Sequence, residues 1–219
     1  MPRLLFSKTG NAVWISHLDT MRLFQRAFKR AGYCLKHTQG FNPRPSVSIA
    51  MPLSVGVESY CELLDFDLDN QTADCEEIKQ RLNRILIPGI QILQVYENGQ
   101  KLKYLKYLDC SIVLEYDRGV PADGEEKLGS LFRSSELLVE KKSKNGIVEQ
   151  NIIPMIHSLT VSRIDTDKLM LKAVISCQEP NLNPAQLTAA IEKYLPTYRP
   201  DFAVYCRQEL LTAEKEIFR

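Results

Sequence analysis

Two segments of helical periodicity, each flanked by segments of strand-like alternation, occupy the first half of the 219-residue chain. The clearer helix covers residues 17–31, with Ser16 as its N-cap and Gly32 at its end. The second helix begins at Asp74 and ends before Pro88-Gly89. Strands are predicted at residues 3–7, 12–15, 33–38, 46–53, 57–68 and 90–96. This mixture of helices and strands predicts an α+β architecture.

The second half of the chain repeats this order with weaker signals. Helices are predicted at 123–133 and after the N-cap Asn183, and strands at 104–116, 136–142, 147–153, 156–163, 168–177 and 202–211. Lys144-Asn145-Gly146 is typical of a hairpin turn, since Asn-Gly accepts positive φ. The polar turn at 97–101 divides the chain into 1–99 and 100–219. We therefore expect two tandem ferredoxin-like lobes, each a split β-α-β unit with an antiparallel sheet.

The formal net charge of +1 conceals an uneven distribution of charge. Residues 1–60 carry eight basic and two acidic side chains, residues 61–100 carry three and eight, and residues 101–219 are balanced. The near-neutral total argues against a protein that coats nucleic acid indiscriminately. The basic segment still allows a localised site for an anionic ligand.

Cations cluster on one face of the first predicted helix. Arg22, Arg26 and Lys29 recur at i, i+4 and i+7, and Arg30 lies at the edge of that face. The following strand and loop add Lys36, His37 and Arg44. A solvated helix face would explain the pattern equally well. Because Asp19 is the only acid in this helix, we favour a surface that binds phosphates.

The loop Gly40-Phe41-Asn42-Pro43-Arg44-Pro45 cannot be helical, because each proline restricts the residue before it to extended backbone. The prolines on either side of Arg44 hold its guanidinium at low entropic cost, which suits bidentate contact with phosphate or carboxylate. Phe41 and Asn42 can stack on and hydrogen-bond an unpaired base. The alternative is a rigid surface turn whose Phe41 packs in the core.

Two of the three histidines fall within this basic segment. His17, at the start of the first helix, is a candidate general base for metal-independent RNA cleavage, with arginine or lysine stabilising the developing charge. A capping or packing role for His17 is the alternative. We expect His37, close to the basic loop, to contact a ligand.

Several other functions are excluded by the sequence. The six cysteines lie far apart and form no C-x-x-C, so we expect no metal, no cofactor and reduced thiols. There is no Walker motif, G-x-S-x-G or H-E-x-x-H. Asp65, Asp67 and Asp69 alternate, and we prefer a charged edge strand to a Mg²⁺ site. The longest apolar stretch, 85–93, is shorter than the roughly 20 residues that a bilayer requires. We therefore expect a cytoplasmic protein that does not enter membranes.

Three strings together resemble a known family. They are His17-Leu18-Asp19, the loop from Gly40 to Pro45, and the segment from Met51 to Ser59. They are similar to the bacterial radical-SAM-linked domain of unknown function, which occurs alone or behind a radical SAM enzyme. The resemblance implies a cytoplasmic partner of such an enzyme. Because the chain has no C-x₃-C-x₂-C, we expect the free-standing form without the cluster-binding domain.

A second resemblance, in element order and in a histidine near the first helix, is to the tandem ferredoxin-like RNA-processing proteins of CRISPR systems. The glycine-rich C-terminal loop of those proteins is absent here, since residues 196–219 contain no glycine.

These observations favour a non-catalytic module that binds RNA or presents a substrate, with RNA and a radical SAM enzyme as expected partners. One alternative is a metal-independent endoribonuclease that uses His17. A second alternative is a protein–protein adaptor whose basic surface docks an acidic partner. The sequence does not indicate an oligomeric state.

Overall fold

The computed structural model describes residues 1–69, 73–143 and 146–219. The chain divides into two units, Met1–Leu102 together with Arg219, and Lys103–Phe218. Four described α-helices accompany antiparallel sheets, so the predicted α+β class is confirmed. Within the described residues, no helix is long and apolar enough to cross a membrane.

The first unit contains an antiparallel sheet and two α-helices. Its elements are β1 (Arg3–Lys8), α1 (His17–Arg30), β2 (Val47–Ile49), β3 (Val57–Phe66), α2 (Cys75–Asn83) and β4 (Ile90–Tyr96). The strands lie in the order β4-β1-β3-β2, and every neighbouring pair is antiparallel. All six residues of β1 are buried, as expected for a strand with partners on both sides.

Helix α1 confirms the helix predicted at 17–31, with Ala31 as its C-cap. The Ser16 hydroxyl accepts a hydrogen bond from the Asp19 backbone N–H at 3.2 Å, as an N-cap should. Phe24 on the apolar stripe meets Phe6 of β1 edge to face, with ring centroids 4.8 Å apart. This packing fixes the rotation of the helix and turns its basic face toward solvent.

Two short strands predicted in the first unit are wrong. Residues 12–14 belong instead to a 3₁₀ helix, Gly10–Trp14, with Ile15 as its C-cap, because the chain must turn between the end of β1 and the start of α1. Residues 33–38 form only isolated bridges, Leu35 with Leu68 and His37 with Pro45. The predicted strand at 46–53 is reduced to the three residues of β2.

The second unit also combines a sheet with two α-helices and adds a hairpin. Its elements are β5 (Tyr107–Glu115), α3 (Gly124–Leu131), β6 (Leu138–Ser143), β7 (Gly146–Asn151), β8 (Ile156–Arg163), β9 (Lys168–Ser176), α4 (Pro184–Tyr194) and β10 (Phe202–Leu211). The main sheet has the order β10-β5-β9-β8, again antiparallel. Apart from the β6–β7 hairpin, this unit has the connectivity and strand order of the first.

Local signals in the second half also match the structure. Asn183 and Gln186 form the predicted capping box at the start of α4, with Pro184 in its first turn. Strands β6 and β7 pair antiparallel up to Ser143 and Gly146. The predicted turn at Lys144-Asn145-Gly146 lies partly outside the described residues.

Gly89 packs against the turn that follows β1. Its φ is +88°, and its carbonyl accepts a hydrogen bond from the Thr9 N–H at 2.8 Å. A Cβ at this position would lie 2.9 Å from the Cβ of Ala12 and would also overlap the Thr9 carbonyl. Gly32 is a matched control, because its φ is +84° but a Cβ would meet no atom within 4 Å.

We expect Gly32→Ala to lower the free energy of unfolding by about 1 kcal/mol, the cost of left-handed backbone alone. Gly89→Ala should lower it by about 3 kcal/mol, because overpacking adds to that cost. Urea titration followed by circular dichroism measures both values. Equal losses in the two variants would contradict the packing described here.

Candidate nucleic-acid interface

The exposed face of α1 carries the predicted cations. Arg22, Arg26, Lys29 and Arg30 are all exposed. Lys29 and Arg30 lie in the last turn, where cations interact favourably with the helix dipole. The apolar packing of the opposite stripe is what leaves this face in solvent.

The loop after α1 is closed at its base by backbone contacts. The Thr38 N–H donates to the Arg44 carbonyl at 2.9 Å, and the Arg44 N–H donates to the Thr38 hydroxyl at 3.0 Å. At the tip, Phe41 has a relative exposure of 107%, so its ring is outside the core. The alternative in which Phe41 packs in the core is therefore wrong. A large apolar ring held in solvent on a closed loop is available to a ligand.

A first groove, of about 530 Å³, lies between the N-terminal half of α1 and the segment leading into β2. His17, Arg22 and Arg44 line it together, as do the hydroxyl side chains of Thr38, Ser46 and Ser48. Apolar surface comes from Met1, Leu18 and Met21. The structure thus brings three predicted site residues from two separate segments to one groove.

A second groove, of about 430 Å³, follows the C-terminal half of the same helix. Arg26, Lys29 and His37 line it, beside the exposed thiol of Cys34. Gln25 and Pro45 line both grooves, so the two are adjacent. Four of the predicted site residues, Arg30, Lys36, Phe41 and Asn42, line neither groove.

Two of the predicted cations already have carboxylate partners. Arg22 pairs with Asp19 at 2.9 Å, and Lys36 pairs with Asp67 at 3.5 Å. Hydrogen bonds from Ser16 and Arg22 lower the pKa of Asp19. Both pairs are solvent-exposed, and such pairs contribute at most about 1 kcal/mol. A phosphate can therefore replace either carboxylate at small cost.

The other four cations of this surface form no ion pair with the residues that the structure describes. They are Arg26, Lys29, Arg30 and Arg44. Arg3 and Lys8, which are two of the eight basic residues in 1–60, are instead buried. The positive charge available to a ligand is therefore concentrated on α1 and Arg44.

The acidic residues of the following segment have structural partners. Arg3 binds Asp65 through two hydrogen bonds, of 2.6 and 3.0 Å. Strand β3, which contains Asp65, lies between β1 and β2 and is not an edge strand. The preference for a charged edge strand is therefore wrong at Asp65, whose carboxylate pairs with a buried guanidinium. The described residues contain no group of three or more His, Cys, Asp and Glu side chains placed to hold a metal ion.

His17 lies between the first groove and a buried polar cluster. Its side chain lines the groove and also a small pocket of about 10 Å³, which has room for roughly one water molecule. Lys8, Thr20 and Glu62 line that pocket from the inside. His17 is partly buried, so it is the predicted site residue closest to the interior.

The buried cluster was not predicted from the sequence. Lys8 and Glu62 are each only 2% exposed. The Lys8 ammonium donates to the carbonyls of Val13 and Ile15 at 3.3 and 2.7 Å, and Ser59 donates to Glu62 at 2.6 Å. Burial lowers the pKa of Lys8, and the negative charge of Glu62 opposes that shift. The available signal was the presence of Lys8 directly after one predicted strand and of Glu62 within another, both strands being rich in large apolar residues.

We expect Lys8→Met to lower the free energy of unfolding by about 3 kcal/mol, because two carbonyls lose a charged donor and Glu62 loses a nearby positive charge. Lys8→Met combined with Glu62→Gln should be more stable than Lys8→Met alone.

Stability should also depend on pH through Lys8. Since folding lowers the Lys8 pKa, the unfolded chain holds the proton of the Lys8 ammonium more tightly than the folded chain does. The contribution of Lys8 to stability should therefore rise as the pH approaches 10.5, and Lys8→Met should lack that rise. Urea titrations at several pH values measure both effects, and a double variant no more stable than the single one would contradict the coupling.

Comparison with known proteins places the fold and the family. No curated protein matches the sequence. A chain in the crystal structure of a Cbf5–Nop10–Gar1 complex aligns with 95% of this chain at 9% identity and a TM-score of 0.50, which concerns the fold alone. The present chain spans about half of that chain, 48% of its length. An unknown protein from Galdieria sulphuraria aligns over 95% of both chains at 10% identity, with a TM-score of 0.27.

Residues 2–184 match the family described as "Uncharacterized protein conserved in bacteria (DUF2344)". This match covers most of the 219 residues. The chain therefore belongs to this family of uncharacterized bacterial proteins.

Proposed function

We propose that the protein is a non-catalytic accessory module that binds RNA or presents a substrate through the basic surface of its first unit. The observation that carries the proposal is the absence of carboxylate partners, among the described residues, for Arg26, Lys29, Arg30 and Arg44. Three of these four line two adjacent grooves. Cations along adjacent grooves attract a phosphate backbone through counterion release.

The two grooves have different roles in this proposal. Arg22 and Arg44 bind phosphate in the first groove, and Arg26 and Lys29 bind it in the second. Arg30 and Lys36 add positive charge at the margin, where Lys36 exchanges its Asp67 partner for phosphate. The exposed ring of Phe41 stacks on an unpaired base, and Asn42 and His37 form hydrogen bonds nearby. An aromatic platform beside cations is typical of proteins that bind single strands.

We also propose that both units are ferredoxin-like lobes, with the boundary near residues 99 and 100. The support is their shared connectivity, in which the first and third strands are central and two helices connect the strands. The β6–β7 hairpin is then an insertion into the second lobe. A lobe of this kind offers a rigid scaffold on which loops and helix faces bind ligands.

A radical SAM enzyme is the proposed protein partner, and the cytoplasm the proposed location. This part of the proposal depends on the resemblance carried by the strings at 17–19, 40–45 and 51–59. The chain contains no C-x₃-C-x₂-C, so an iron–sulfur cluster would belong to the partner. The basic surface of this module would hold the RNA or other anionic substrate for that enzyme.

Single-stranded RNA and tRNA fragments should bind the protein with an affinity that falls as salt rises. Arg26→Glu and Arg44→Ala should weaken binding at least about tenfold, and each should reduce the salt slope by about 1, because each removes a phosphate contact. Arg118→Glu is the matched control, since Arg118 is exposed in the second unit and lines neither groove. Fluorescence anisotropy across a salt series measures all four proteins.

Cys34 reports whether the RNA occupies the proposed surface. Its thiol is exposed in the second groove, whereas burial raises the pKa of Cys110 to about 12 and that of Cys177 to about 11. A disulfide reagent should therefore modify Cys34 much faster than the other two, and bound RNA should slow that reaction. Weak binding that is identical in every variant, with Cys34 unprotected, would overturn the proposal.

A second candidate function is metal-independent RNA cleavage by His17. The specific observation is that His17 joins a groove containing Arg22 and Arg44 to the buried Lys8–Glu62 cluster. His17 would accept the proton of a 2′-hydroxyl, and the two guanidinium groups would stabilise charge on the phosphate. RNA incubated with the protein in EDTA distinguishes the functions, since cleavage that disappears in His17→Ala supports the enzyme and intact RNA supports the binding module.

The same cations would also suit an acidic protein surface, as in an adaptor. Purification of the native chain after nuclease treatment separates this case from RNA binding. A protein that remains bound through the basic surface, with no nucleic acid recovered, would replace RNA with an acidic partner. Recovery of RNA before nuclease treatment, and its loss from Arg26→Glu, would support the proposal.

A further inference from the structure

A groove of about 640 Å³ in the second unit lies between α3 and β8. One wall comes from residues 122–133 of the helix and its flanks, and the other from residues 156–161 of the strand. Four consecutive strand residues, Ser158 to Val161, contribute to this lining. Because successive side chains of a strand point to opposite faces, a continuous run of lining residues shows that the groove follows the edge of the strand.

Strand β8 is the last strand of its sheet. Within the described residues it pairs only with β9, so the backbone groups on its outer edge have no strand partner, and the Arg163 N–H donates instead to Glu125 at 3.2 Å. The register shifts once, between Ile156 and Ser158, and then runs regularly to Arg163. Natural edge strands are usually blocked by proline, lysine or bulges, yet 158–163 contains none of these. The edge from Ser158 to Ser162 can therefore accept another strand.

The groove combines an apolar floor with a mostly acidic rim, where Asp123, Glu125 and Glu126 outnumber the single cation Arg133. Leu159 and Val161 are partly buried beside Phe132 of the helix flank. Glu126 is exposed at the rim and forms no ion pair with the described residues. Glu125 accepts a hydrogen bond from the Arg163 N–H at 3.2 Å, so it lies at the same rim. A ligand that fits both features has apolar and basic side chains.

Gly129 keeps the groove open on the helical side. A Cβ there would meet only the guanidinium of Arg133, at 3.7 Å, which is ordinary contact with a flexible side chain. Glycine within a helix costs about 1 kcal/mol relative to alanine. The missing side chain therefore leaves space in the groove at a position where packing would tolerate a larger residue.

We propose that this groove binds an extended segment of a partner protein as an additional strand on β8. Its backbone hydrogen-bonds to the open edge of the strand. Alternate side chains are apolar, toward Leu159 and Val161, and basic, toward Glu126. Nucleic acid is disfavoured, because three carboxylates and only one guanidinium line the rim. A second copy of β8 does not fit either, since it would bring the same acidic rim against this one.

The probe is a capped peptide of about eight residues that alternates valine and lysine, long enough to pair along the whole strand. Its control is the same peptide with every second amide N-methylated, which removes donors on one edge but keeps the side chains. Heteronuclear NMR of the full chain follows the titration residue by residue. We expect shifts confined to 156–163 and α3, with dissociation in the range of about 0.1–1 mM.

Gly129→Leu should fill the groove and weaken binding of the peptide at least about tenfold. The midpoint of thermal unfolding should stay unchanged or rise, because leucine favours a helix more than glycine does. Glu126→Lys should weaken peptide binding through charge, whereas Glu136→Lys, an exposed acid outside the groove, should not. The proposal is overturned by equal binding of the N-methylated peptide or by unchanged binding to a folded Gly129→Leu. No shift at millimolar peptide, or concentration-dependent pairing of the chain through β8, would also overturn it.

Discussion

The buried ammonium of Lys8 connects the central strand of the first unit to the start of its first helix. By donating to the carbonyls of Val13 and Ile15, it fixes the end of the short 3₁₀ helix that lies between β1 and α1. Ser16 follows directly and caps α1. These two hydrogen bonds position the start of the helix, and the packing of Phe24 on Phe6 then sets which face it turns to solvent. Hydrogen bonds to a charged donor are among the stronger polar contacts in a protein, and burial makes them costly to break.

The helices could be predicted from the sequence because their signals are local. Caps such as Ser16, Asp74 and Asn183 satisfy N–H groups two or three residues away, and the structure shows all three. Strands depend on partners that are distant in sequence, so the predictions of two short strands, at 12–15 and 33–38, were wrong. Residues 33–38 alternate as a strand would, but they find only one bridge to Leu68 and one to Pro45. Alternating apolar residues predict which face of a strand is buried, but a strand forms only where a neighbouring strand can hydrogen-bond to it.

The candidate site was predictable to a similar extent. Helical spacing placed Arg22, Arg26 and Lys29 on one face, and the structure keeps that face exposed. The pairing of Lys36 with Asp67 depends on how β3 lies beside the loop, and no local pattern encodes it. The same holds for the cluster of Lys8 with Glu62, which two different strands bring together. The spacing of charged residues can predict a charged face, but it cannot show which of those charges already have an ion-pair partner.

The closed base of the loop at 38–44 separates the residues that hold the loop in place from the residues at its tip. Because the Thr38 and Arg44 contacts join the ends, the tip residues from 39 to 43 contribute little to the folded core. Under the proposed function, exchanging the ring or amide at that tip would alter what the surface recognises while folding stability stays nearly constant. The binding preference proposed for this loop can then diverge independently of the scaffold, which is how one architecture acquires different ligands.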